Sequence, residues 1–361
     1  MKHFYFLFLL LVACGSADPG TDTFAKMEAD ITNGVYPNIH GLLISRNDSL
    51  LYEHYWPGKD QMLGQDLGVI AHGKDSLHDT RSVTKSFVGA CIGIAIGQGL
   101  IKSVDTPIWS FFPEYARLDT GMKKTLTLRH LLTMSSGLDW NEILPSTDPK
   151  NTDVGMDRSS DPIKYVLSLP IIHPAGTVWN YSGGTTEVLG AIIRKVSGKS
   201  VDSFARQYLF EPLGIDHWQW IRDPQWGTPS AAAGLRLSPG DLLKFGLLYA
   251  NGGVWKGRSV LPAGWVDSSL ATHIQRESSD RPGGYGYLFW TFTTQLKDGL
   301  LSMPACLGNG DQWVIIDRKH RVVVVVTAGN YVTAGNQNRR TEQKTAFNLL
   351  NDDVYPGLGL K

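Results

Sequence analysis

Ser82-Val83-Thr84-Lys85 sets a hydroxyl and an amine three residues apart, a spacing that on a helix stacks both side chains on one face, one turn apart. A serine hydroxyl is a weak nucleophile until a neighbouring base takes its proton. A lysine serves as that base only where desolvation or nearby cations lower its pKa from about 10.4. Phe87, Val88, Ile92, Ile94, Ile96 and Leu100 make residues 82–101 apolar nearly all round, the pattern of a buried helix that would supply the desolvation. Ser82 falls at the helix start, where unpaired N–H groups favour an oxyanion. S-x-x-K arises about once by chance in a chain of this length, so its meaning depends on its surroundings.

Those surroundings are rich. Trp179-Asn180-Tyr181-Ser182-Gly183-Gly184 offers a tyrosine in a tight glycine turn before another helical stretch, and Leu307-Gly308-Asn309-Gly310-Asp311-Gln312-Trp313 places glycines at the mouth of a strand. Other chemistries lack their motifs. The chain has no G-x-S-x-G elbow, no H-E-x-x-H and no G-x-G-x-x-G. Its ten histidines are scattered singly, so no metal site and no cofactor are indicated. Val196-Ser197-Gly198-Lys199-Ser200 looks like the end of a phosphate loop but reads as a helix end with Gly198 as its cap. Asp139, Glu142, Asp153 and Asp157 match no calcium loop and read as a solvated segment.

The elements that must position these residues follow from patterning. Residues 39–47 and 49–56 predict a β-hairpin around Asn47-Asp48. Gly89, Gly93 and Gly97 put a bare stripe on the buried helix, which would let a neighbouring segment approach closely. Helices are expected over 126–134, 161–169, 185–196, 200–209, 238–250 and 341–350, and strands over 285–294, 299–307, 312–317 and 321–327. The last strand carries five consecutive valines, as a fully buried strand would. Strands at both ends with helices between suggest one sheet assembled from the two termini, with a helical domain inserted. We expect the sheet part at 37–80 and 240–352, the helical part at 81–239, and a C-terminal tail at 353–361.

Balanced charge, 34 basic against 34 acidic residues, removes the field that nucleic-acid binding needs. A hydrophobic content of 42% excludes disorder. Lys2 followed by the apolar run 4–12 and Ala13-Cys14 reads as an export signal over 1–13, too short to span a bilayer. Leu11-Val12-Ala13-Cys14 resembles the bacterial lipobox, which implies acyl chains on Cys14, a tether over 14–36 and a membrane-anchored lipoprotein of the bacterial cell envelope, facing the periplasm or the surface. Pairing of Cys91 with Cys306 is open, and Cys91 in its apolar helix reads as a filler.

Taken in order, Ser82–Lys85, Tyr181 and Gly308–Gln312 resemble the serine β-lactamase and penicillin-binding-protein superfamily, above all its class C and 6-aminohexanoate-dimer hydrolase branch. Similar stretches run from Leu128-Arg129-His130-Leu131-Leu132 through Pro174-Ala175-Gly176 and Glu211-Pro212-Leu213-Gly214 to Gly234-Leu235-Arg236-Leu237. The resemblance implies an α+β, β-lactamase/transpeptidase-like fold, an antiparallel sheet flanked by helices with an inserted helical domain. It implies that Ser82 becomes acylated while Lys85 and Tyr181 share the proton work, and that backbone N–H groups of Ser82 and of Asp311 or Gln312 form the oxyanion hole. Asn309, Gly310, Gly183 and Trp179 are the implied substrate contacts, with Trp140 and Trp313 as further aromatic lining.

Two departures matter. Tyr181-Ser182-Gly183 stands where class C enzymes have Y-x-N, and Asn309-Gly310-Asp311 where they have K-T-G, so a side-chain amide and a carboxylate-binding cation are missing. The expected function is therefore a serine hydrolase cleaving an amide or carboxylic ester of a small molecule or short peptide, like the dimer hydrolases or esterases. A D,D-peptidase or β-lactamase is the alternative within the class. A non-catalytic surface lipoprotein binding a peptide or cell-wall fragment is the alternative outside it.

Overall fold

The computed structural model describes residues 21–62, 64–277, 283–332 and 344–361. The leader and Cys14 lie outside these residues. The hairpin forms as Ile39–Arg46 (β1) and Ser49–Tyr55 (β2). Asn47 and Asp48 both take positive φ, 52° and 64°, the left-handed pair that matches the twist of a two-residue hairpin loop. A second hairpin, Gly58–Met62 (β3) and Gln65–Ile70 (β4), leads to the short strand His78–Asp79 (β5). The buried helix is Val83–Gly97 (α2), with Ser82 at its N-cap.

Helix Gly183–Ser197 (α6) packs on α2, and Leu128–Leu132 (α3), Thr152–Asp157 (α4) and Pro162–Ser168 (α5) pack on α6 in turn. Val201–Ala205 (α7) continues through a π-helical turn into Glu211–Leu213 (α8). Gln219–Trp220 (β6) and Leu235–Leu237 (β7) join β5 in the order β5-β7-β6. Pro239–Ala250 (α9), the small hairpin Val254–Trp255 (β8) with Arg258–Ser259 (β9), and Trp265–Leu270 (α10) lead back to the main sheet. Its remaining strands are Ile274–Arg276 (β10), Gly283–Tyr285 (β11), Trp290–Leu296 (β12), Gly299–Gly308 (β13), Gln312–Asp317 (β14) and Val322–Ala328 (β15). The eight-stranded antiparallel sheet runs β10-β11-β12-β13-β14-β15-β1-β2, so the two termini do build one sheet.

The five valines serve two cores. Val323 and Val325 face α2 and α9, while Val322, Val324 and Val326 face a second core of Ile315, Trp313 and the chain ends, following the two-residue period of a strand. Contact with α9 is close enough that a Cβ on Gly246 would lie 2.5 Å from Val323. The glycine stripe on α2 has the same use, since a Cβ on Gly93 would lie 2.4 Å from the Trp265 ring.

Three expectations are corrected. The segment expected as a tether contains the helix Ala25–Thr32 (α1), and Phe24, Met27 and Ile31 are buried under the sheet's second face, held there by an apolar spacing too short to stand out in a polar stretch. The expected C-terminal tail is packed as well: Tyr355 is fully buried and its hydroxyl donates to Asp317 at 3.2 Å. The single strand expected over 285–294 breaks after Tyr285, because the chain leaves the sheet to hand Leu288 to α2 and α3. The Leu288 N–H donates to the Leu132 carbonyl at 2.9 Å, and the Ser86 hydroxyl to the Leu288 carbonyl at 2.7 Å. Among the described residues no helix is long and apolar enough to cross a membrane.

Candidate active site

The turn that presents Ser82 is fixed from behind. Thr80 donates through its N–H (3.1 Å) and its hydroxyl (2.7 Å) to the Leu235 carbonyl, and the Leu235 N–H donates to the Thr84 hydroxyl at 3.1 Å. Arg81 takes a positive φ of 50°, an uncommon conformation for a long side chain, stacked over the Tyr331 ring at 5.0 Å and 3.8 Å from the Asp79 carboxylate. This tight turn sets the Ser82 hydroxyl at the start of α2.

One turn on, the Lys85 ammonium donates to the Ser82 hydroxyl at 3.1 Å and to the Ala232 carbonyl at 2.8 Å. Only 3% of Lys85 is exposed. Tyr181 precedes α6, and Ser182 caps that helix by accepting from the Thr185 N–H at 3.1 Å. The Asn180 N–H donates to the Met134 carbonyl at 2.8 Å, anchoring the turn to the end of α3. The Tyr181 phenol stands beside Ser82 and Lys85, close enough for both to act on its titration, and the Lys85 nitrogen lies 4.9 Å from the ring centre. The structure thus brings the expected nucleophile together with the two residues expected to share the proton work.

Burial works against charge on both partners. It pushes the Lys85 amine toward neutrality, but Tyr181, Glu142 and Asp153 outweigh it, and the amine titrates above its ordinary value. Burial also raises the Tyr181 phenol, which Lys85 only partly offsets. Near neutral pH the resting pair is an ammonium and a phenol.

Carboxylates surround the pair: Glu142 and Asp153, from the segment read as solvated, and Glu187, which sequence patterning did not single out. Glu142 accepts from the Gly183 N–H at 2.6 Å and the Trp140 indole at 2.7 Å. A Cβ on Gly183 would lie 3.2 Å from the Glu142 carboxylate and 3.6 Å from that of Asp153. The acidic segment read as solvated therefore turns inward at Glu142 and Asp153. A glycine in the third position of the tyrosine motif makes room for a carboxylate where a longer side chain would stand. Burial, reinforced by Glu142 and Asp157, raises Asp153 to about 7. Glu187, on α6, accepts from the Ala231 N–H at 3.1 Å, the Ala232 N–H at 2.9 Å and the Ser230 hydroxyl at 3.2 Å. It thereby fixes the segment whose carbonyl holds Lys85.

The β13–β14 hairpin meets the nucleophile turn at Gly308, where a Cβ would lie 2.2 Å from the Thr80 carbonyl and 3.3 Å from Arg81. Gly310 (φ 90°) and Asp311 (φ 64°) turn the chain, and Gly308 pairs with Gln312. Asn309 closes on Val332 through its side chain, donating to the carbonyl at 2.7 Å and accepting from the N–H at 3.1 Å. Asp311 accepts from the Trp313 indole at 3.3 Å and from Asn330 at 3.2 Å, while Gln312 is fully buried against the Gly310 and Ala328 carbonyls.

Trp179, Tyr285 and Trp290 form an aromatic wall beside Tyr181, with Trp290 5.4 Å from the Tyr181 ring. Trp140 and Trp313 are buried instead, and Trp313 belongs to the core on the sheet's second face. Arg276 stacks on Trp290 at 4.8 Å and donates to the Gly284 and Thr291 carbonyls at 3.1 and 3.3 Å. Cys91 and Cys306 are both buried thiols with no disulfide between them.

The histidines are not all scattered in space: His40, His72 and His78 converge with Asp60. Their separations along the chain follow no local motif, because β1, β3, the segment after β4 and β5 each contribute one residue.

The beta-lactamase family profile matches residues 27–346. The 6-aminohexanoate-dimer hydrolase of Paenarthrobacter ureafaciens is 27% identical over 246 residues, covering 66% of this chain and 58% of that protein. Esterase EstB of Burkholderia gladioli is 25% identical over 182 residues, 48% of this chain and 44% of the relative. The chain thus spans 44–58% of the length of these relatives. Among solved structures, EstCE1, a hydrolase with promiscuous acyltransferase activity, superposes with a TM-score of 0.70 at 17% identity, covering 92% of this chain and 99% of its own. A penicillin-binding protein homologue from Caulobacter crescentus does so with a TM-score of 0.67 at 15% identity, covering 94% and 98%.

Proposed function

The chain belongs to the beta-lactamase family, whose members are serine hydrolases of amide and ester bonds, and from that premise we propose that it hydrolyses an uncharged amide or ester through an acyl-Ser82 intermediate. The observation that carries the reading is the Lys85 ammonium 3.1 Å from the Ser82 hydroxyl, with the Tyr181 ring centred 4.9 Å from the same nitrogen. The ionised fraction of Tyr181, favoured by the Lys85 charge, takes the Ser82 proton as Oγ bonds to the carbonyl carbon. Tyr181 then protonates the departing amine or alkoxide. In the second half it takes a proton from water, whose oxygen displaces Ser82 from the acyl carbon, and returns that proton to the departing Ser82 oxygen. Lys85 remains charged throughout.

For the oxyanion we keep the Ser82 N–H and one backbone N–H of the β13–β14 hairpin, with Asp311 and Gln312 among its candidates. Gly308 is the residue pressed on Thr80 and Arg81, and Gln312 pairs directly across from it, so the candidates on the hairpin are the amide next to Gly308 and those of Asp311 and Gln312. The Glu142 carboxylate beside Gly183 disfavours a substrate carboxylate there, which supports esters and amides over β-lactams. The wall of Trp179 and Trp290 suits an apolar acyl group.

Intact-mass spectrometry with p-nitrophenyl acetate, a linear amide dimer and a penicillin, beside Ser82→Ala, tests the reading. We expect adducts or turnover with the first two that vanish in the variant and increase from pH 7 to pH 9 as Tyr181 ionises. A folded protein that none of the three acylates would favour the binding-protein alternative. The same measurement on membrane-extracted chain tests export and acylation at Cys14, which we include in the proposal: loss of residues 1–13 with added acyl mass is expected.

A further inference from the structure

His40, Asp60, His72 and His78 offer one ligand atom each within 4.8 Å of one another. His40 and His78 are fully buried and Asp60 is 5% exposed. The two buried rings each spend one nitrogen on a backbone carbonyl, His40 Nε2 on Lys59 at 3.1 Å and His78 Nδ1 on Ser76 at 3.1 Å. That fixes the N–H on the outer side of each ring and turns a lone pair inward. The inward atoms, His40 Nδ1 and His78 Nε2, have no hydrogen-bond partner. Neither nitrogen of His72 has a hydrogen bond of good geometry, although the Gly58 backbone lies close enough to act on the ring. Its ring stacks on His40 at 3.9 Å and on His78 at 4.7 Å.

Buried polar atoms without partners are rare in native proteins, and several converging on one point ask for a common occupant. Space for the His40 ring is kept by two glycines: a Cβ on Gly58 would lie 2.7 Å from His40 Nε2, and one on Gly329 2.8 Å from His40 Cε1. Asp60 is likewise oriented from outside, one oxygen accepting from the Gln61 N–H at 2.8 Å and the Tyr331 hydroxyl at 3.2 Å. Metal-binding histidines and carboxylates are held in this way, with the outer atom tied to a carbonyl or a donor and the inner atom left for the ion.

We propose that His40 Nδ1, His72, His78 Nε2 and an Asp60 oxygen bind one zinc ion in a four-coordinate structural site. Three imidazoles with one carboxylate suit zinc, whereas calcium and magnesium take oxygen sets. Ligand atoms around tetrahedral zinc stand about 3.4 Å apart, so the quartet contracts slightly and the half-buried His72 swings to open its stack. Neither His40 nor His78 has to lose a proton, since each N–H already faces a carbonyl. Asp60 also holds Tyr331, the ring stacked on Arg81, and His78 stands four residues before Ser82. Zinc would therefore brace the strand that enters the nucleophile turn.

The test uses the purified protein, stripped with a chelator, reloaded with zinc sulfate, desalted and analysed for metal by mass spectrometry. About one zinc per chain is expected, with a melting temperature several degrees above the stripped form. His72→Gln, in a half-buried position, should bind zinc at least tenfold more weakly, while the exposed His217→Gln should bind like the wild type. Circular dichroism confirms the fold of each. Cobalt(II) in place of zinc should give intense visible absorption bands of tetrahedral cobalt in the wild type and not in His72→Gln. A folded wild type that retains no zinc overturns the proposal, as does equal loss in the His72 and His217 variants.

Discussion

The stretch from His78 to Lys85 carries residues of two polar clusters that are built on opposite plans. At Lys85 every partner is inside the protein: the ammonium meets the Ser82 hydroxyl, the Ala232 carbonyl and Tyr181, and Glu187 locks Ala232 in turn. At His78 the outer nitrogen is satisfied and the inner one faces two more rings and a carboxylate with nothing to bond. Burial lowers all three histidines, His40 to about 3, so these rings remain neutral where Lys85 remains charged. A satisfied network can store charge and move a proton among its own members. An unsatisfied one of neutral lone pairs is shaped for an ion from outside.

The sharpest separation comes from Lys85→Met, which removes the hub of the first cluster and touches nothing in the second. Acylation of Ser82 should fall roughly 10³-fold, the scale of a lost proton-transfer partner. The melting temperature should drop as well, because the Ser82 hydroxyl and the Ala232 carbonyl lose a donor. Zinc content should stay that of the wild type. If zinc were lost together with acylation, the two clusters would be one unit and the comparison would break.

Glu187 tests how far the first network extends. Glu187→Ala leaves the Ala231 and Ala232 N–H groups without their acceptor. Lys85 would then be held less well, and we expect kcat to fall about tenfold with KM nearly unchanged, the pattern of an interaction that matters in the transition state. Glu187→Gln, which keeps an acceptor for one of the two amides, should recover part of the loss. Equal changes in kcat and KM, with no rescue, would mean that Glu187 only supports the fold.

How much of this was legible in the sequence depended on the range of the signal. Ser82 and Lys85 declare themselves by one helical turn within a buried run, and Asn47-Asp48 announces its hairpin by residue type alone. Tyr181 is visible because its glycine turn is local. Glu142 and Asp153 were not, because a polar segment without period gives no sign of which carboxylate turns inward, and the room made by Gly183 appears only in three dimensions. The histidine quartet is the extreme case. Its members come from β1, β3, the segment after β4 and β5, and only pairing across the fold makes them neighbours. The helix α1 was hidden for a related reason: Phe24, Met27 and Ile31 form a stripe whose partner lies at the other end of the chain.

Asp153 supplies the finest probe, because it borders the satisfied network yet titrates near neutrality. Its folded pKa of about 7 stands above the unfolded value of about 3.9. A group raised in this way contributes stability that is full below the unfolded value and is lost as pH rises through the folded one. The wild type should therefore weaken between about pH 4 and pH 7, where folding must increasingly hold a buried carboxylate beside Glu142. Asp153→Asn removes that dependence. Residual exposure and the nearby Lys85 charge reduce the full effect, so the variant should gain on the wild type by about 2 kcal/mol between pH 5 and pH 8, measured by urea denaturation at each pH. A gap that stays constant over that range would mean that Asp153 is ionised throughout, paired within the network as Lys85 is and no longer at its border.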